Sequence, residues 1–138
     1  MSAVGPVDHI AYLVDDLDAG IRGFSELLGL DVTREVDLPQ FTIRAAFVGT
    51  NVEVITFTDS ELTARRLNGA TCVVDHVAYL VSDIDAVSAR LRVQGLRFGG
   101  PNLVQEVDAP LEIGGARHLW SFPDTVAGHS IQLVERPA

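Results

Sequence analysis

Positions 7 to 14 read V-D-H-I-A-Y-L-V, a run of aliphatic and aromatic residues interrupted only by an aspartate and a histidine, which suits a strand. From Leu17 the spacing changes. Apolar residues recur at Ile21, Phe24, Leu27 and Leu28, the period of a helix. Asp16 stands where an N-cap is needed, Asp18 falls in the first turn where the helix dipole favours negative charge, and Gly29 ends the run. Three further strands are expected at 31–37, 41–48 and 51–57, with turns near Pro39 and Gly49-Thr50.

The pattern then starts again. Val7 to Ala19 aligns without gaps to Val74 to Ala86 at a constant offset of 67, and ten of the thirteen pairs are identical. This is an internal duplication. It predicts a second helix capped by Asp83, with Asp85 in its first turn and Gly95 at its end. Strands follow at 96–98, extended through 103–107, then at 117–122 and 130–135. A weaker echo sets Gly49-Thr50-Asn51-Val52-Glu53-Val54-Ile55 against Gly128-His129-Ser130-Ile131-Gln132-Leu133-Val134 at an offset of 79. The twelve extra residues fall in the Gly/Pro-rich stretch 99–115, a loop insertion. The predicted order is β-α-β-β-β twice, an α+β chain with one module over about 5–58, a connection over 59–72 and a second module over about 73–136.

Strand alternation then places the chemistry. His9 and His76 share a face with Ala11 and Ala78, while Ile10/Tyr12 and Val77/Tyr79 point the other way. The helix is expected on the Ile/Tyr/Val face, leaving the histidines on the opposite, concave one. Glu53 and Gln132 are likewise lone polar residues on apolar strands. One such residue is ordinarily a hydrogen-bonded core group or an edge exposure. Here four of them occupy equivalent positions of two related modules. If the modules pack about a pseudo-twofold axis they converge, and two imidazoles, a carboxylate and an amide oxygen suit a divalent ion: Co, Ni, Mn, Fe or Zn. His118 and His129 have no repeat partner and are set aside. Arg44 and Arg117 suit either an anionic substrate group or a salt-bridged surface. Asp15, Asp16 and Asp18 fit capping.

Composition narrows the partners. The 138 residues are 47% apolar and 21% charged, an ordinary globular balance with no apolar run near the roughly 20 residues of a membrane helix. The N-terminal stretch from Met1 to Pro6 lacks the marks of a signal peptide, so a cytoplasmic location is expected by default. A net charge of −9 with no basic tract argues against nucleic acid or an anionic membrane as partner. The single cysteine, Cys72, excludes an intrachain disulfide, and its apolar setting reads as a small buried hydrophobe. With ten arginines and no lysine, Schiff-base chemistry is also excluded.

The duplicated β-α-β-β-β unit, the D-H-[IV]-A opening strand and the closing run from Phe122-Pro123-Asp124 to Glu135 (with one extra residue before Gly128) resemble the vicinal oxygen chelate superfamily. That superfamily contains glyoxalases, bleomycin-resistance proteins, extradiol dioxygenases and methylmalonyl-CoA epimerases. The opening strands are most similar to its epimerase and small glyoxalase branches. The resemblance implies two tandem βαβββ modules forming an eight-stranded open, cupped barrel-like sheet around a central pocket. It also implies a divalent metal held by His9, Glu53, His76 and Gln132, a small-molecule substrate, and a homodimer.

The implied activity is that of a metal-dependent isomerase or epimerase, or a glyoxalase-type lyase. It would move a proton next to a carbonyl on a small acyl thioester or oxo acid, through a metal-stabilised enolate. One departure matters: the closing strand of the second module carries Gln132 where the epimerase and glyoxalase patterns carry glutamate. Glutamine is not a base at neutral pH, so the base role falls to Glu53 or is lost. A second acidic position of the epimerase branch reads Leu38-Pro39-Gln40 here. The alternatives are a non-catalytic drug- or natural-product-binding protein of the bleomycin-resistance type and an Fe(II) extradiol dioxygenase.

Overall fold

The computed structural model describes residues 3–125 and 128–138. The first two residues of the stretch read for a leader, and positions 126–127 of the closing run, lie outside the described residues. The chain divides into two compact units, His9–Asp75 and the remainder, in which the segment ending at Asp8 joins His76–Ala138.

The first unit holds β1 (Val7–Val14, entering it at His9), α1 (Leu17–Leu28), β2 (Val32–Leu38), β3 (Ile43–Val48), β4 (Val52–Phe57) and α2 (Ser60–Leu67). Strand β4 runs parallel to β1, β3 is antiparallel to β4, and β2 is antiparallel to β3. The strand expected from position 41 starts two residues later. Pro39–Phe41 form a 3-10 turn closed by Thr42 in the left-handed region (φ 54°), a conformation that no strand accommodates.

Helix α1 begins and ends where its sequence signals lie. Asp16 accepts a hydrogen bond from the Ala19 amide, and Gly29 takes the left-handed cap at φ 67°. Its Leu17, Ile21 and Phe24 pack on Val14, Val48, Val52 and Val54, and Phe24 lies 4.6 Å from the Tyr12 ring. The helix therefore covers the Tyr12 face, as alternation requires. Leu27 and Leu28 continue the helical period but are exposed.

On the opposite face Leu13, Ile43, Ala45, Ile55 and Phe57 pack with Leu62 and Leu67 of α2. The segment expected only as a connection is thus largely a core helix. Asp59 caps it, accepting from the amides of Glu61 and Leu62, and the Thr63 hydroxyl donates to the Phe57 carbonyl at 2.9 Å. Burying each leucine contributes about 1.5–3 kcal/mol, enough to hold so short a helix.

The second unit repeats the arrangement with β5 (Cys72–Leu80, entering it at His76), α3 (Ile84–Val93), β6 (Phe98–Gly99), β7 (Leu111–Ile113), β8 (Ala116–Ser121) and β9 (Ser130–Glu135). Strand β9 is parallel to β5, β8 is antiparallel to β9, and both β6 and β7 pair with β8. Asp83 caps α3 through the Ala86 amide, and the helix packs Ile84, Val87 and Leu91 against Phe98, Leu119 and Leu133. The N-terminal segment belongs here through Gly5 N–H to the Leu80 carbonyl, 2.8 Å, and Leu80 N–H to the Pro6 carbonyl, 2.9 Å. A Cβ on Gly5 would lie 2.6 Å from that Leu80 oxygen, so this approach requires glycine.

Three expectations need correction. The strand expected through 103–107 is only an isolated bridge between Gly99 and Glu106, because Leu103 adopts φ 53° and breaks the extended chain. Strand β7 was not expected: three residues between Pro110 and Gly114-Gly115 are too few to show a period. Cys72 is exposed rather than buried, since it opens β5 at its solvent end. Among the described residues no helix is long and apolar enough to cross a membrane.

Candidate metal centre

In the unit His9–Asp75 the parallel register sets Ala11 of β1 opposite Glu53 of β4, so His9, two residues earlier on the same face, lies diagonal to Glu53. Its Nε2 is 3.5 Å from Glu53 Oε1. The imidazole is buried, at 5% exposure. Phe47, paired with Glu53 across β3 and β4, meets the His9 ring edge-on at 5.2 Å and 78°. The guanidinium of Arg34 lies 4.4 Å from the centre of the Phe47 ring. This face carries the two donors at one end and the α2-covered leucine core at the other.

The second unit has the same plan with different residues. Ala78 of β5 is opposite Gln132 of β9, which in turn is opposite Trp120 of β8. The buried His76 meets Trp120 edge-on at 6.3 Å and 88°, as His9 meets Phe47. Gln132 is only 3% exposed, and its Nε2 lies 2.9 Å from His118 Nδ1. Among the described residues its Oε1 is buried with no hydrogen-bond partner, as is Trp120 Nε1. A buried polar atom left unsatisfied costs about 1–3 kcal/mol, a cost that a partner at the Gln132 carbonyl would remove. A divalent cation is one such partner, and imidazole, carboxylate and amide oxygen are donors it accepts.

The other candidates resolve individually. Arg117 is salt-bridged: it donates to both Asp85 oxygens at 2.9 Å and to Glu135 at 3.2 Å. These contacts raise its pKa further and hold the Asp85 carboxyl below its ordinary value. Arg44, His129 and Gln40 are exposed. Asp16 caps its helix, as expected. His118, set aside in the sequence, is the residue that reasoning missed. Its signal was positional, for it sits two residues before Trp120 on the strand that pairs with Gln132's.

Residues 8–108 match the family model for the Glyoxalase/Bleomycin resistance protein/Dioxygenase superfamily. The chain is 29% identical to a 2-epi-5-epi-valiolone epimerase of Actinomyces sp., over 96% of this chain and 80% of that protein. It is 28% identical to a putative lactoylglutathione lyase of Brassica oleracea var. gemmifera, over 93% of this chain and 43% of that longer protein. Among solved structures, methylmalonyl-CoA epimerase from Mycobacterium tuberculosis superposes with a TM-score of 0.81 at 26% identity, covering 100% of this chain and 92% of that one. The family model takes in the first repeat and the second as far as 108, the superposition takes in both, and the chain belongs to the glyoxalase/bleomycin resistance protein/dioxygenase superfamily, the vicinal oxygen chelate fold.

Proposed function

We propose that this protein is an isomerase or epimerase, or a glyoxalase-type lyase. Its reaction moves a proton on the carbon next to a carbonyl of a small acyl thioester or oxo acid, at a divalent metal held by His9, Glu53, His76 and Gln132. The observation that carries the reading is the Gln132 carbonyl oxygen, buried without a partner on the strand beside His76. Two further observations support it. His9 and Glu53 form the matching pair at 3.5 Å in the other repeat, and His76 is the buried histidine at the equivalent strand position of this one. The epimerase and lyase relatives support the reaction class.

Each residue then has a task. The histidines are nitrogen donors, each set against an aromatic edge, Phe47 for His9 and Trp120 for His76. Gln132 gives a neutral oxygen and cannot take a proton. Glu53 is the only carboxylate of the four, so it is the residue that would accept the proton as base. A divalent ion held by these residues would supply Lewis-acid charge beside the substrate carbonyl. The homodimer expected from the sequence belongs to the same reading and is checked by sedimentation equilibrium.

Two measurements test the proposal. Protein purified without added ions should carry a divalent metal in stoichiometric amount. It should also exchange the α-proton of a methylmalonyl thioester, or of the hemithioacetal of methylglyoxal and glutathione, for solvent deuterium. A protein with neither metal nor exchange is a binding protein instead, and the reading fails. Exchange at the wild-type rate in Glu53→Gln would remove Glu53 as the base.

A further inference from the structure

We propose that His118 is the positioning residue that turns the Gln132 amide so that its carbonyl oxygen, and not its NH2, faces the metal. This rests on the metal reading above and concerns how one ligand is oriented.

The argument runs along one chain of contacts. His118 Nε2 lies 3.1 Å from the backbone carbonyl of Ile113 in β7. A carbonyl oxygen can only accept, so Nε2 carries the hydrogen. The neutral ring then presents a bare lone pair at Nδ1, which is 2.9 Å from the Gln132 side chain. Only the amide NH2 can donate there. The Gln132 oxygen is thereby directed away from the imidazole, where it is buried and without a partner. The imidazole itself is held flat by stacking on Trp120, with centroids 5.5 Å apart and planes 15° from parallel.

The other repeat shows why the device is needed only once. There the equivalent strand position is Ala45, two residues before Phe47 as His118 is two before Trp120. Its ligand is Glu53, whose two oxygens are interchangeable, so rotation about the last bond costs nothing in donor type. An amide is not symmetric. A half-turn of Gln132 would replace the oxygen ligand with an NH2 group, which no divalent cation accepts. The repeat with the amide has the histidine and the short strand β7 that anchors it.

The test uses cobalt(II) titrated into the metal-free protein. Replacing His118 with leucine removes the acceptor, whereas His118→Asn puts a carbonyl oxygen near the Nδ1 position. Partners of metal ligands typically contribute 10- to 100-fold in affinity, so H118L should weaken cobalt binding by about that factor and H118N should restore most of it. In a Gln132→Glu background, where no amide needs orienting, H118L should cost no more than about threefold, because the two changes act through one contact. The tautomer is read separately, from long-range 1H–15N spectra of the metal-free protein, which should show His118 protonated at Nε2.

Cobalt affinity unchanged in H118L, an equal loss in the Gln132→Glu background, or an Nδ1–H tautomer would each overturn the role of His118 while leaving the metal reading standing. Wild-type protein that binds no stoichiometric cobalt sinks both.

Discussion

The two repeats carry one plan with unequal chemistry. Each sets a buried histidine on its first strand against an aromatic edge, Phe47 in one and Trp120 in the other, and each places a Glu/Gln at the same register of its last strand. In the first repeat the partner is a carboxylate 3.5 Å from its histidine, diagonal to Ala45 across β3 and β4. In the second it is an amide held by His118. The shared part is what a metal needs, donors on rigid strands. The unequal part is what a reaction needs, because only one side can take a proton. In the proposed reaction the shared geometry serves binding and the asymmetry serves catalysis.

Removing a histidine attacks what the repeats share, and should have the largest effect. His76→Ala is expected to lower metal affinity by more than about 100-fold, beyond what outer partners of ligands contribute, and to abolish proton exchange. Metal analysis after dialysis checks it. His9→Ala should behave alike. If one histidine proved dispensable, the two strands would not be equivalent in function.

Making the repeats alike comes next. Glu53→Gln leaves two amides and no base. Proton exchange should fall by about 10²- to 10⁴-fold, the usual contribution of a positioned base, with metal binding weakened rather than lost. Gln132→Glu makes two carboxylates and should retain both metal and exchange. The informative measurement is the deuterium-exchange rate at saturating metal, which separates loss of the base from loss of the ion.

Much of this asymmetry could be read from the residue order. The offset of 67 places His9 against His76, and the offset of 79 places Glu53 against Gln132, because strand register tolerates no slippage once one face is buried. The capping aspartates were readable because an N-cap is a local, two- or three-residue event. Helix α2 was not: between its buried Leu62 and Leu67 stand Thr63, Ala64, Arg65 and Arg66, a sequence with little apolar period that is held by tertiary burial. His118 was hidden for the opposite reason. A search for pairs passes over a residue whose counterpart is Ala45.

That buried difference yields a stability prediction. Leu62→Ala removes one of the two buried leucines by which α2 packs on the first repeat's core and should cost about 2–5 kcal/mol, read from urea unfolding. Leu91→Ala on α3 lies in the same range by the same reasoning. The two differ in location. Loss at Leu62 loosens the His9 face directly and should weaken metal binding, whereas α3 packs on the sheet face away from Gln132 and its loss should leave metal affinity within about twofold.

The smallest effect separates the repeats at their surfaces. Arg44 and Arg117 hold equivalent positions, but β3 pairs Arg44 with Thr56, whereas β8 pairs Arg117 with Glu135. Arg117 also grips Asp85, while among the described residues Arg44 forms no ion pair. Arg117→Ala should therefore lower Tm slightly and Arg44→Ala should not, as expected for exposed ion pairs. The pH dependence distinguishes the pair from simple packing. The Asp85 carboxyl is held below its ordinary 3.8, first by hydrogen bonds from Arg117. A carboxyl depressed on folding stabilises the native state above that ordinary value and loses its contribution as pH falls through the depressed one. The Tm gap between wild type and Arg117→Ala should be constant near neutrality and close as the pH drops below 3.8. Added salt should narrow it at every pH. A gap unchanged by acid and by salt would assign the Arg117 contribution to the packing of its methylenes instead.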